Sequence, residues 1–261
     1  MMRRRGKRRG VHPLALIAVG LALAGSIAAA TVLRSGAASV PPGTCAPGEN
    51  GPATVVVLDA SNKLAPRAEA TVREVARAAA IGGRGLRVII ARVSGSRDYQ
   101  PEILFHGCDP GGAGQARYDE GQATRDELRQ THFLAPLEVA IGRLVEPVPD
   151  HGQTYLAETV MRVASDPAMH LDQPGSSLII LSDLIQNVRG TSMPYRNGRI
   201  VLPPVEEPFL NGLRVTVVEL PAMPGADVLQ THKMREAWRD WFKAAGAMQV
   251  TMRSPGLARR G

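Results

Sequence analysis

The chain has 261 residues, of which 4% are aromatic, so it can form one fairly large domain with a core built mainly from Val, Ile, Leu and Ala. Its formal net charge of +7 arises at its ends, since eight of the 31 Lys and Arg residues lie in segments 1–13 and 259–260 and the other 23 face 24 acidic residues. A nucleic-acid-binding domain usually carries its positive charge as a patch on the folded surface, so this distribution argues against nucleic acid as a partner.

An uncharged apolar stretch at residues 14–33 follows the basic amino-terminal segment. Twenty helical residues span about 30 Å, the thickness of the hydrocarbon core of a bilayer. We predict a transmembrane anchor here, with segment 1–13 in the cytoplasm because basic residues favour that side. A cleaved signal peptide is the alternative, since residues 26–30 are small, but its apolar region is usually shorter, about 7–15 residues. Residues 34–51, rich in Gly, Ala, Pro and Ser, indicate a linker.

Strand patterns alternate with helix patterns between residues 52 and 253, and residues 254–261 are expected to be a tail. The predicted strands are 54–59, 86–93, 102–105, 177–183, 213–220 and 248–252, and the predicted helices are 66–80, 122–145 with an interruption near Pro136, 154–164 and 227–245. Composition predicts a turn at 106–112 and a long loop at 190–208. This order predicts an α/β fold: a doubly wound, mostly parallel sheet with helices on both faces.

Oxygen-bearing side chains mark the ends of predicted elements. Asp59 and Ser61 end the first strand, Asp183 ends a later one, and Thr154 opens a helix. In a doubly wound sheet these positions can converge at the carboxyl edge, where strand order reverses. Two carboxylates and two hydroxyls would suit a hard divalent ion such as Mg²⁺ or Mn²⁺. Asp59 and Thr154 could instead simply cap helices.

This pattern resembles the von Willebrand factor A-type domain and its metal-ion-dependent adhesion site over about residues 52–253. The family's first motif is Asp-x-Ser-x-Ser, followed by a Thr before a helix and an Asp after a later strand. Asp59, Ser61, Thr154 and Asp183 correspond to these positions, but Lys63 stands where the family has the second Ser. Lys63 could repel a divalent ion, pair with Asp59 or Asp183 in its place, or point to solvent.

A group of mostly uncharacterised bacterial von Willebrand A-like proteins is a closer match, through four motifs in the same order. The counterparts here are Asp59-Ala-Ser61-Asn-Lys-Leu64, Cys108-Asp-Pro-Gly111, Thr154-Tyr-Leu-Ala-Glu158 and Ser182-Asp183-Leu-Ile-Gln186-Asn. The resemblance implies a fold and the position of a site, but no activity.

Two further features bear on location and partners. Cys45 and Cys108 are the only cysteines, and such a pair is often bonded outside the cytoplasm, although a sequence gives no distance between them. The loop at 190–208 contains Met193, Tyr195 and Arg196, which could contact a partner because loops at a sheet edge often carry recognition.

The expected function is therefore protein binding by a von Willebrand A-like domain anchored in a bacterial inner membrane and facing the periplasm. A metal-dependent hydrolase that uses Asp59 and Asp183 is the first alternative, although the spacing identifies no general base or activated nucleophile. The second alternative is an accessory component of a secretion, conjugation or envelope machine.

Overall fold

Residues 45, 51–60, 63–81, 85–93, 100–111, 122–147, 154–188, 191–192, 195–196, 199–222 and 229–254 are described by the computed structural model. All of them belong to the compact unit Pro42–Gly261. The predicted cytoplasmic segment and anchor lie outside these residues, as does nearly all of the predicted linker. Within the described part of the chain, no helix has the length and apolar character needed to cross a bilayer.

Helices and strands alternate along the described chain. The elements are β1 (Ala53–Asp59), α1 (Pro66–Ala80), β2 (Arg87–Val93), β3 (Glu102–Cys108), α2 (Gln122–Arg129), a π-helical turn (Gln130–Leu134), α3 (Ala135–Leu144), α4 (Leu156–Ser165), a 3₁₀ turn (Pro167–Met169), β4 (Ser177–Ser182), β5 (Asn187–Val188), β6 (Thr191–Ser192), β7 (Tyr195–Arg196), β8 (Arg199–Ile200), β9 (Arg214–Glu219), α5 (His232–Ala244) and β10 (Gln249–Arg253).

The central sheet has six strands in the order β10-β9-β4-β1-β2-β3. Neighbouring strands are parallel except for β2 and β3, which are antiparallel. From β1 the chain builds β2 and β3 on one side, then returns to the other side of β1 as β4, β9 and β10. The predicted α/β fold with a mostly parallel sheet is therefore confirmed, and strand order reverses between β1 and β4.

The hydrophobic core forms two layers, one on each face of the sheet, because alternate residues of a strand point to opposite faces. In β1, Val55 and Val57 pack with side chains of α4 and α5, whereas Val56 and Leu58 pack with those of α1 and α3. Every residue of β1 is buried, as expected for a central parallel strand covered on both sides.

The helices bury the stripes that their sequences predict. Pro66 occupies the first turn of α1, where its missing N–H costs no hydrogen bond. At the start of α5 the Thr231 hydroxyl accepts a hydrogen bond from the Met234 N–H. Trp238 and Phe242 of the same helix are fully buried, so these aromatic residues belong to the core.

Two predicted regions are wrong, and one predicted interruption is confirmed. The strand expected at 102–105 continues to Cys108, because β3 pairs with β2 as far as Arg87. The turn predicted there from composition therefore begins only after Cys108. The α-helix expected at 122–145 is interrupted near Pro136 as predicted, since a π-helical turn separates α2 from α3 and Pro136 lies in the first turn of α3. The region predicted as a loop at 190–208 contains the antiparallel pair of β7 with β8 and also β6, which pairs with β5 just before the region.

Candidate functional site

Asp59 and Asp183 lie at the carboxyl ends of neighbouring strands. Parallel pairing of β1 with β4 sets Leu58 beside Leu181, so Asp59 adjoins Ser182 and Asp183 follows at once. Asp59 is buried, with 6% of its surface exposed, and Asp183 is half-buried. The two aspartates predicted from the sequence therefore lie at one edge of the sheet, beside the point where strand order reverses.

Ser182 joins the two strand ends through its hydroxyl. The hydroxyl donates to Asp59 Oδ2 over 2.9 Å, and Ser182 Oγ itself accepts the Leu184 N–H, also at 2.9 Å. Ser182 is fully buried, so water does not compete for these bonds. A hydrogen bond to a carboxylate is stronger than one between neutral groups. Ser182 thus fixes both the Asp59 carboxylate and the start of the segment after β4.

The segment after β4 holds an uncommon backbone conformation. Leu184 has a φ of 62°, in the left-handed region that non-glycine residues rarely adopt, and its side chain is fully buried. Its carbonyl accepts a hydrogen bond from Trp238 Nε1 at 3.0 Å. Oδ1 of Asp183 accepts the Ile185 N–H, and Gln230 Nε2 donates to the Asp183 carbonyl. These contacts hold a conformation that carries strain, a combination that clusters at functional sites.

Gln186 connects this segment to the first turn of α4. Its Oε1 accepts the Ala157 N–H at 2.9 Å, in a buried position. The prediction that Thr154 caps this helix is wrong, because α4 begins at Leu156 and Tyr155 precedes it without a side-chain capping bond. Thr154 is buried just ahead of the helix. The amide of Gln186, which is distant in sequence, performs the capping instead.

Glu158 adds a further carboxyl group to the first turn of α4. Burial raises the pKa of its carboxyl above the usual range, and hydrogen bonds from its backbone and from Gln186 partly offset this effect. Its Oε2 is enclosed and has no hydrogen-bond partner. A carboxyl in this setting favours its protonated form more than an exposed glutamate does.

Lys63 lies at the surface and forms no ion pair with Asp59 or Asp183. Its side chain is exposed and lines a small cleft with Leu144 and Val145, on the side of the sheet covered by α3. Of the three alternatives for this lysine, the structure therefore favours the one in which it points to solvent. Ser61 lies outside the described residues.

The predicted partner-contact residues fall in the segment after the site. Tyr195 and Arg196 form β7, which pairs with β8, and Met193 lies outside the described residues. This segment leaves the sheet directly after Asp183 and Gln186, so its backbone extends from the carboxyl edge.

Carboxylates and hydroxyls, the donors at this edge, are those that hard divalent ions prefer. Asp59, Thr154 and Asp183 could supply them within the described chain. Among the residues that the structure describes, no group of three or more His, Cys, Asp or Glu side chains lies close enough together to hold a metal ion. A metal here would therefore need hydroxyls, water or a partner's oxygen to complete its shell.

Cys45 and Cys108 form a disulfide bond, with Cα atoms 4.9 Å apart. Cys108 ends β3 opposite Arg87, the first residue of β2, so the bond lies at the amino edge of the parallel sheet. Asp109 follows Cys108 and is fully buried. Its carboxylate accepts two hydrogen bonds of 2.8 Å from Arg129, one from Nε and one from Nη2. The bond thus ties the predicted linker to a firmly held turn, at the edge of the sheet opposite the aspartates.

Several residues of this site have roles that the sequence did not reveal. Ser182 and Gln186 stand in the motif that ends β4, so the resemblance gave their positions but not their partners. Gln230 carries no local signal; it bonds to the carbonyls of both Asp183 and Leu220, and its Oε1 accepts the Ala222 N–H. Such contacts appear only when distant segments are brought together.

Comparison with known proteins adds no family assignment. No protein-family model matches the chain, and no curated protein is significantly similar to it.

Proposed function

We propose that the chain is a membrane-anchored, extracytoplasmic domain of the von Willebrand A type that binds a protein partner at the carboxyl edge of its sheet. One observation carries the proposal: Asp59, Ser182 and Asp183 lie together where strand order reverses between β1 and β4. Open α/β sheets bind their ligands at this point.

The family assignment draws support from topology as well as from the motifs. A six-stranded sheet with one antiparallel edge strand and helices on both faces is compatible with a von Willebrand A domain. A fold of this kind serves many functions, so the function has to be argued from the site itself.

In the first of two possible arrangements, the site would bind the partner through a divalent ion. Asp59, Ser61, Thr154 and Asp183 would hold Mg²⁺ or Mn²⁺, and a carboxylate of the partner would complete the coordination. The exposed position of Lys63 at a surface cleft beside α3 is compatible with this arrangement. In a second arrangement the partner contacts the same edge without metal.

The location rests on two independent features. The basic segment 1–13 before the apolar stretch 14–33 favours export of everything that follows. A disulfide such as Cys45–Cys108 persists in oxidising compartments and is rare in the reducing cytoplasm. Both features support a bacterial inner-membrane protein with its folded domain in the periplasm.

The proposal is tested on the full chain purified in detergent, with Asp183→Asn as the variant. Asp183 is half-buried, so its replacement disturbs folding less than replacement of Asp59. Asp240→Asn on the exposed face of α5 is the matched control. We expect titration calorimetry with Mg²⁺ or Mn²⁺ to detect binding in the wild type and the control, and none in Asp183→Asn.

The same variants, crosslinked in intact membranes, test the partner. We expect a crosslinked product that is lost in Asp183→Asn and retained in Asp240→Asn. Loss of the product without any metal binding supports the metal-free arrangement. Identical products in all three proteins contradict the site, and phosphoester hydrolysis that depends on Asp183 favours the hydrolase instead.

A further inference from the structure

His106 and His170 lie side by side at the amino edge of the sheet, opposite the edge that carries the aspartates. His106 is on β3, paired in register with Ile89, and His170 follows the 3₁₀ turn. The centroids of their rings are 6.0 Å apart. Arg87, at the start of β2, is 95% buried and acts electrostatically on both rings. We call these three residues the histidine cluster.

The surroundings of both imidazoles disfavour their charged form. Partial burial lowers the pKa of His106, and the charge of Arg87 and then that of His170 lower it further. Burial likewise lowers the pKa of His170, followed by Arg87, while the Asp172 carboxylate acts in the opposite direction. Asp166 and Asp172 line a cavity of about 440 Å³ together with His170, and of these two carboxylates Asp172 acts electrostatically on the ring.

The segment that carries His170 is connected to the first residue of β1. His170 has a left-handed backbone, with a φ of 50°. Its carbonyl accepts the Ser176 hydroxyl at 3.2 Å, and the same hydroxyl oxygen accepts the Ala53 N–H at 3.0 Å. Movement of His170 therefore weakens the contacts that fix the start of the central strand.

The chain also enters the domain at this edge. Cys108, two residues beyond His106 on β3, is bonded to Cys45 in the predicted linker. The histidine cluster thus lies next to the place where the linker joins the folded domain. The cluster is thus connected both to the linker attachment and to the beginning of β1.

We propose that the histidine cluster is a pH-sensitive contact that holds segment 166–176 against β3 at neutral pH and releases it on acidification. Two protons would place three positive charges together, with Asp172 acting on His170 as the counter-charge. The device is separate from the aspartate site, so it does not depend on the proposed function.

The direction of the effect follows from linkage between protonation and folding. The unfolded chain binds protons at these histidines near the usual His pKa of about 6.5, whereas the folded chain binds them at lower pH. Above about pH 6.5 these histidines are neutral in both states and do not lower the free energy of unfolding. That free energy decreases as the pH falls from there through the folded-state pKa values of the two histidines. Acidification below that point therefore opens the segment.

The test measures the pH titration of the full chain in detergent by NMR of the imidazole Cε1 protons. The four variants for assignment and comparison are His106→Gln, His170→Gln, the double variant and His132→Gln, an exposed histidine of the π-helical turn. We expect His106 and His170 to titrate below pH 6.5. A titration at or above that pH for both overturns the proposal.

Hydrogen exchange at pH 7.5 and pH 5.5, corrected for intrinsic rates, measures release of the segment. In the wild type and in His132→Gln we expect several-fold faster exchange at residues 171–176 at the lower pH, and a clearly smaller change in the double variant. Equal acceleration in every protein refutes the device. His106 is exposed, so His106→Gln alone provides the comparison in a folded protein if the double variant does not fold.

Discussion

Replacement of Ser182 by alanine tests the joint between β1 and β4. The hydroxyl makes two buried hydrogen bonds, as donor to Asp59 Oδ2 and as acceptor from the Leu184 N–H. Alanine fits the space, but Asp59 Oδ2 loses the hydroxyl donor and the Leu184 N–H loses the hydroxyl acceptor. Loss of a bond to a charged group costs about 1.5–3 kcal/mol, and a buried N–H left without an acceptor costs about 1–3 kcal/mol.

We therefore expect Ser182→Ala to lower the free energy of unfolding by about 3 kcal/mol, on the low side of the sum because neighbouring groups relax. Urea denaturation followed by tryptophan fluorescence measures this, since Trp238 and Trp241 both lie buried in α5. Ser177→Ala is the matched control at the other end of β4, where a partly buried hydroxyl contacts Thr54 Oγ1 at 3.1 Å. We expect that change to cost about 1 kcal/mol or less. A Ser182→Ala loss no greater than that of the control would refute the reasoning.

Three further predictions concern other parts of the chain. Asp109→Asn leaves Arg129 without its buried carboxylate, and we expect the free energy of unfolding to fall by about 3 kcal/mol. Amide exchange should become faster throughout α2, because this helix buries no side chain of its own. Glu138→Gln, at an exposed ion pair, is the control and should change the free energy of unfolding by less than about 1 kcal/mol. Glu158→Gln should raise the free energy of unfolding at pH 7 but not at pH 4. Burial raises the folded-state pKa of Glu158, so its ionisation destabilises the fold only above the unfolded-state pKa of about 4.3. Equal effects at both pH values would contradict the burial argument. Replacing both Cys45 and Cys108 by serine removes a link across 63 residues and should cost about 4 kcal/mol in the chain-entropy account, as measured by the urea midpoint; an unchanged midpoint contradicts a stabilising role for the bond.

The elements with the strongest local patterns were predicted well from the sequence. The β-branched run of β1 and the apolar stripes of α1 and α5 correspond to elements of the structure, since each pattern reports burial of that segment alone. The position of the candidate site also followed, because strands that alternate with helices bring acid-tipped strand ends to one edge. The partners of Ser182 and Gln186 did not follow, since each bond joins residues far apart along the chain.

Long-range contacts also account for the boundaries that were wrong. Antiparallel pairing with β2 extends β3 to Cys108 even though the local composition favours a turn. Gln186 caps α4 although a threonine stands just before that helix. In both cases a partner distant in sequence outweighs a local preference worth about 1 kcal/mol.

By itself the sequence determined the α/β alternation, the central buried strand and the two aspartates at strand ends, because burial and strand direction follow from the periodicity of side chains. Only the tertiary structure decided which groups satisfy those aspartates, that Lys63 stands apart from them, that Cys45 reaches Cys108, and that two histidines meet beside a buried arginine. Those outcomes depend on how distant segments pack, and hydrogen bonds, ion pairs and disulfides act only over the few ångströms that packing creates.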